Sequence, residues 1–279
     1  MTDRTARQAA FAGAEPVGPA PDSPRYSICV LVSDANEYTA ARESFHAGGF
    51  VSPDSEFLYL DNTCGNAHDA YQACNLFLRA ARGRYVILCH QDIRLLADGR
   101  DRLDAVIAEL DRLDPSWGLF GNAGGLADGT LALRITQPDG RDLSVGGPFP
   151  VRCRSLDENF VVVRAEANLA VSSDLQGFHL YGTDMCIVAD LLGRSAYVVD
   201  FHLEHRSQGD DGPAFVQARR AMINKYGRAL VPRLIATTCT TLMIVPFAPL
   251  AFLANTGKGI ILARALRRFL LAATWRRRG

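Results

Sequence analysis

The stretch Tyr85-Val86-Ile87-Leu88-Cys89-His90-Gln91-Asp92-Ile93 decides the fold. Its first half is an apolar, strand-like run that stops abruptly at two side chains able to ligate metal. Residues two apart on a strand share a face, so His90 and Asp92 are expected to project together beyond the strand's carboxyl end. Open α/β sheets bind ligands at that end. An imidazole beside a carboxylate suits a divalent cation that also holds a phosphate.

Working outward, strand and helix patterns alternate. Ile28-Cys29-Val30-Leu31-Val32 reads as a buried strand, and Tyr38, Ala41 and Phe45 mark a helical stripe that stops at Gly48-Gly49. Phe57 to Leu60 reads as a second strand ending in Asp61-Asn62. A helix then shows Ala67, Ala70, Tyr71, Cys74, Phe77 and Leu78 on one face. Leu103, Val106, Ile107, Leu110 and Leu113 form the cleanest helical stripe, and Gly118-Leu119-Phe120-Gly121 is a further short strand. This order argues for an α/β fold with a mostly parallel sheet flanked by helices. Residues 124–155, rich in Gly and Pro, are expected to form a β-hairpin or mobile loop. Beyond them come a strand over 159–163, a helix from about Asp184, a strand over 196–199 and a helix from Pro213.

The 279 residues, 48% hydrophobic and 22% charged, can bury a sizeable core. The formal net charge of zero hides an asymmetry. Residues 258–279 hold seven cations and no anion, leaving 23 cations against 30 anions elsewhere. An acidic body is poorly suited to nucleic acid, whereas a basic tail suits an anionic surface. Seven cysteines without a C-x-x-C pair point to a reducing compartment and no structural zinc. Residues 1–24 read as a flexible leader, 25–230 as the main domain and 231–279 as a hydrophobic and basic tail. No G-x-G-x-x-G follows either early strand, which disfavours a dinucleotide cofactor.

Four stations in order carry a family resemblance: Asp61-Asn62, His90-Gln91-Asp92, the segment Phe178-His179-Leu180-Tyr181-Gly182-Thr183-Asp184, and His202-Leu203-Glu204-His205-Arg206-Ser207. Together they resemble the GT-A fold glycosyltransferases, in particular the family 2-like branch with a His-Gln-Asp metal motif. The likeness runs from about Ser27 to Gly227. It implies a Rossmann-like sheet and sugar transfer from a nucleotide-diphosphate sugar to a glycan or lipid-linked acceptor, with a divalent cation, Mn²⁺ or Mg²⁺. Many relatives have aspartate where His90 stands, and an imidazole there tilts the choice toward Mn²⁺.

The same resemblance implies the roles. Asp92 and His205 are the expected metal ligands. Ser33, Asn36, Asp61, Asn75, His90 and Gln91 are the expected donor-binding set, and Asp184 the expected general base of an inverting displacement. Gln208 to Gly212 is an expected lid. His202 is not expected to ligate, Trp117 is expected to pack, and the acidic pair Asp157-Glu158 is expected to contact an acceptor sugar or, the favoured reading, to solvate a turn. A nucleotidyltransferase would carry a Gly-rich, Arg-containing loop after the first strand, where this chain has Ser33-Asp34-Ala35-Asn36-Glu37. A catalytically inactive binding relative is the other alternative.

No charge occurs from Leu234 to Gly257, yet the densest apolar run, 242–254, is short for a bilayer crossing. Ile260, Ile261, Leu262, Leu266 and Phe269 then interleave with Arg264, Arg267 and Arg268. A basic amphipathic helix lying on an anionic membrane is the expectation, and with it a peripheral position on the cytoplasmic face.

Overall fold

Strand β1 (Tyr26–Val32) pairs in parallel on one side with β2 (Ser55–Asp61) and on the other with β3 (Tyr85–Cys89), so these three carboxyl ends lie along one edge. The structure, a computed structural model, describes residues 23–207, 209, 212–236 and 238–275, with side chains described as far as residue 266. The leader over 1–22, the lid residues Gln208, Asp210 and Asp211, and Arg276 to Arg278 lie outside the described residues. So do the side chains of Arg267, Arg268, Phe269 and Leu270.

Helix α1 (Ala35–Ala47) links β1 to β2, and α2 (Ala70–Ala80) links β2 to β3. After β4 (Ile93–Leu95), α3 (Arg100–Leu113) leads to β5 (Trp117–Gly121). Five short strands follow: β6 (Ala123–Gly125), β7 (Leu131–Thr136), β8 (Asp142–Val145), β9 (Val151–Arg152) and β10 (Ser155–Leu156). Then come β11 (Phe160–Arg164), α4 (Tyr181–Leu191), β12 (Ser195–Val198), β13 (Leu203–His205) and α5 (Pro213–Ala229). The first sheet has the order β2-β1-β3-β11-β5-β12-β9, parallel except at β11 and β9. The expected α/β class and mostly parallel sheet are what the chain forms.

The central strands β3, β5 and β11 are buried at every position, because layers cover both faces. Edge strand β2 leaves Tyr59 60% exposed. In α3 the stripe buries Leu103, Val106, Ile107 and Leu110, while Leu113, at the helix end, faces solvent. Trp117 is fully buried, stacked on Tyr85 with the Arg164 guanidinium 4.1 Å from its ring centroid; it packs, as expected.

Residues 124–155 are more regular than their composition suggests. They supply most of a second sheet, β10-β6-β7-β13-β4, with β8 pairing β7 as a hairpin. Their apolar runs are short because these strands are only half covered. The chain leaves the first sheet at Cys89 and enters the second at Ile93, so His90-Gln91-Asp92 is the crossing between sheets.

From Arg219 the chain forms a second compact unit. It contains the rest of α5, a hairpin of β14 (Arg233–Ala236) and β15 (Thr241–Ile244), and helices α6 (Ala248–Ala254) and α7 (Gly257–Trp275). Among the described residues no helix is long and apolar enough to cross a membrane.

Helix α4 begins hard against the second sheet. A Cβ on Gly182 would lie 2.5 Å from the Leu156 carbonyl oxygen, a backbone atom that cannot swing aside. Gly182→Ala is therefore expected to destabilise the fold by about 1–3 kcal/mol, read as a lower urea midpoint.

Candidate metal and donor site

Three ligand-competent side chains converge at the crossing. His90 Nδ1 lies 3.9 Å from Asp92 Oδ1, His205 Nε2 lies 3.5 Å from the same oxygen, and the two imidazole nitrogens are 3.3 Å apart. The convergence of His90 and Asp92 does not come from strand alternation. The strand ends at Cys89, and a tight turn over Gln91 and Asp92 folds the two side chains together. His205, far along the chain, arrives because β13 pairs antiparallel with β4, setting His205 opposite Ile93, while Arg206 N–H donates to the Asp92 carbonyl at 3.0 Å.

Those spacings fit a cation. An ion held at about 2.1 Å by each ligand needs neighbouring ligand atoms about 3.0–3.5 Å apart, close to the spacings found. The electrostatics agree. Burial acts to raise the Asp92 carboxyl, but hydrogen bonds from His205 and Ser207 and the nearby imidazoles outweigh it and hold the group well below the usual carboxylate range. Burial first, then His205, lowers His90, favouring the neutral imidazole that can donate a lone pair to metal. His202 stands apart, its Nε2 2.8 Å from Thr136 Oγ1. Two imidazoles and one carboxylate suit a transition-type ion such as Mn²⁺ better than Mg²⁺, which prefers an all-oxygen shell.

Beside this triad lies a cleft of about 570 Å³ at the carboxyl ends of β1 and β3. Ser33, Asn62, Asn66, Gln91, Asp157 and Glu158 are among its polar walls, and Phe178, His179 and Tyr181 close another side. None of its described lining residues is a lysine or arginine. Leu180 adopts a left-handed conformation (φ 68°), a strained choice for a branched residue, between His179 and Tyr181.

No family model matches the chain. Over 216 residues it is 38% identical to "ATP synthase subunits region ORF 6" of Fuscovulum blasticum, covering 75% of this chain and 86% of that protein. The chain belongs to that protein's family. The description of that relative names no reaction. Among solved structures, the chain is similar to the mannosyltransferase PcManGT from Pyrobaculum calidifontis in complex with GDP-Man and Mn²⁺. That likeness has 14% identity and a TM-score of 0.48, over 81% of this chain and 70% of that one. It is also similar to S. aureus TarS, with 13% identity and a TM-score of 0.45 over 72% of this chain and 39% of that one. A third likeness, to A197 from STIV, has a TM-score of 0.41 at 12% identity, covering 66% of this chain and 86% of that one.

Of the expected donor residues, Ser33, His90 and Gln91 line the cleft. Gln91 acts mainly as a brace. Its Oε1 accepts from Ser33 N and Asp34 N at 2.8 and 2.9 Å, and its Nε2 donates to Ser33 Oγ at 2.8 Å, pinning the β1–α1 turn to the crossing. The other three are not among the cleft's described lining residues. Asn36 is an exposed first-turn residue of α1, whose cap is Asp34. Asn75 spends its amide on the backbone of Val171, donating at 2.9 Å and accepting at 3.1 Å, away from the cleft. Asp61 is exposed and turned onto Thr63, with its neighbour Asn62 on the cleft wall instead.

The largest correction concerns Asp184. It is fully buried, and its two carboxylate oxygens accept from Ser172 N at 2.6 Å and Ser172 Oγ at 2.8 Å. A carboxylate so engaged is a structural tie without a path to an acceptor. Besides Asp92, the carboxylates on the cleft wall are Asp157 and Glu158, the pair whose favoured expectation is a solvated turn and whose alternative is acceptor contact. Glu158 Oε1 accepts from Gly182 N at the start of α4. Burial, reinforced by the Asp157 charge, pushes the Glu158 carboxyl up to about 8. Asn66, Phe178, His179 and Ser207 are further wall residues; the Phe178–Asp184 and His202–Ser207 stations signal all of these but Asn66.

Asp184→Asn replaces a buried charged acceptor of two hydrogen bonds by a neutral amide, which can keep the bond from Ser172 N only by donating to Ser172 Oγ in place of accepting from it. It should therefore cost about 1–3 kcal/mol of stability in urea titration while leaving divalent-ion affinity unchanged.

Proposed function

We propose that the chain is an inverting, metal-dependent glycosyltransferase that moves a sugar from a nucleotide-diphosphate donor to a hydroxyl of a glycan or lipid-linked acceptor. The observation that carries this reading is the His90–Asp92–His205 cluster at the carboxyl edge of a parallel sheet, opening onto a cleft of nucleotide-sugar scale. The order of the four sequence stations supports it as well.

The residues divide the work. His90, Asp92 and His205 would hold the ion, which when bound neutralises the charge growing on the diphosphate leaving group. Gln91 fixes the first turn, and with it Ser33, at the height of the donor. Phe178 and Tyr181 offer aromatic surface to a base or sugar ring. Glu158 takes the acceptor hydroxyl's proton. Its carboxyl, pushed up to about 8, is a stronger base than an ordinary glutamate once ionised, which suits it to that role near neutral pH. Cation compensation is essential because the cleft wall carries the charges of Asp92 and Asp157, joined by Glu158 when it ionises, and, among its described residues, no lysine or arginine.

Two outcomes are expected. Asp92→Asn should abolish Mn²⁺ uptake measured by calorimetry in the presence of GDP or UDP, and lower sugar transfer at least about a hundredfold; transfer at the wild-type rate would refute the metal assignment. For Glu158, transfer should rise with pH through an inflection near 8, and Glu158→Gln should remove that transfer. Stability follows the opposite sign. The folded state retains a proton that the unfolded chain releases above about 4.5, so this group's contribution is present in acid and lost as pH climbs toward 8. In Glu158→Gln that part of the slope in melting temperature against pH should vanish.

A further inference from the structure

The second unit has a surface that the proposed transfer reaction does not explain. From Arg219 to the end the chain has twelve lysines and arginines and no aspartate or glutamate, while the preceding residues hold all 30 carboxylates. This is a steeper segregation than the last helix alone would give. The unit also turns bulky apolar side chains outward: Phe247 is 68% exposed, Phe252 76% and Leu262 70%, and Leu253 and Ile261 are comparable. Arg228, Arg233, Lys258 and Arg264 are exposed on the same unit.

Within that unit a groove of about 940 Å³ runs between the β14–β15 hairpin and helices α6 and α7. Its walls include Leu234, Met243, Val245, Leu250, Leu253 and Leu266, with Arg233 the one charged member among the described residues. The frame is tied by specific contacts. Asn255, which caps α6, accepts from Met243 N and donates to Met243 O, each at 2.8 Å, and Arg264 hydrogen-bonds Thr241. The apolar face is therefore built on an ordered hairpin–helix support.

We propose that residues 219–266 form a membrane-docking module that lies on an anionic phospholipid bilayer, with Phe247 and Phe252 inserted among the acyl chains and the groove filled by lipid hydrocarbon. Charge and exposure together select this occupant. A second copy of this module would bring seven cations against seven with no carboxylate on either side, a pairing that repels. Nucleic acid would satisfy the cations and leave the phenylalanines and leucines in water. A bilayer with acidic headgroups satisfies both, and the module needs no spanning helix to do so. The sequence pattern of α7 alone suggested an amphipathic helix; the structure assigns the wedge to the β15–α6 corner and the groove beside it.

The test uses the full chain and needs no donor turnover, so its failure leaves the transferase reading untouched. The protein is sedimented with vesicles of phosphatidylcholine alone and of an equimolar mixture with phosphatidylglycerol. Binding is expected to the mixed vesicles, weak on phosphatidylcholine, and reduced but not lost in high salt. The double variant F247D/F252D, altered at exposed positions and checked by circular dichroism, should bind mixed vesicles at least about tenfold more weakly. L262D, on α7, should weaken it independently. Absence of sedimentation with mixed vesicles, or equal binding by both variants, would overturn the proposal. So would complete displacement by single-stranded RNA that binds wild type and F247D/F252D alike.

Discussion

The site depends on the chain's passage from one sheet to the other within three residues. Cys89 is the last residue of a strand buried in the first sheet, and Ile93 the first of a strand in the second. Between them, His90, Gln91 and Asp92 have no room for an extended path, and the tight turn drives two ligands together. Gln91 holds that turn by filling three hydrogen bonds to the end of β1. The second sheet then delivers His205 through ordinary antiparallel register. The candidate metal centre is thus a seam between sheets, with its ligands drawn from both.

That arrangement explains why the fold was readable and the site only partly so. Strands buried on both faces appear as continuous apolar runs, and β1, β3 and β11 announced themselves in that way. His90 and Asp92 were found for a partly mistaken reason, since a turn and not the pleat aligns them. His205 was reachable only through the family resemblance, because nothing local at 205 reveals that β13 lies beside β4.

The misassigned residues share a cause. Asp184 and Asn75 are polar groups on helices, and their partners are Ser172 and the backbone of Val171, in a connecting segment with no periodic signature. A sequence shows a carboxylate or an amide but not what occupies it. Conversely, Asp157-Glu158 resembles any acidic turn. Its place on the cleft wall follows from β10 and β11 belonging to different sheets, which makes their link a part of the wall. Composition likewise hid the order in 124–155, where half-covered strands need few apolar residues.

The makeup of the cleft wall also governs sequence in time. A free pyrophosphate ester approaching Asp92 and Asp157 meets like charge, Glu158 holding its proton below about 8, and no fixed cationic side chain among the described walls. Under the proposed transfer reaction, loading would be compulsory-ordered: the ion would settle first, or arrive already chelated to its nucleotide, and the bare sugar nucleotide would be turned away at the entrance.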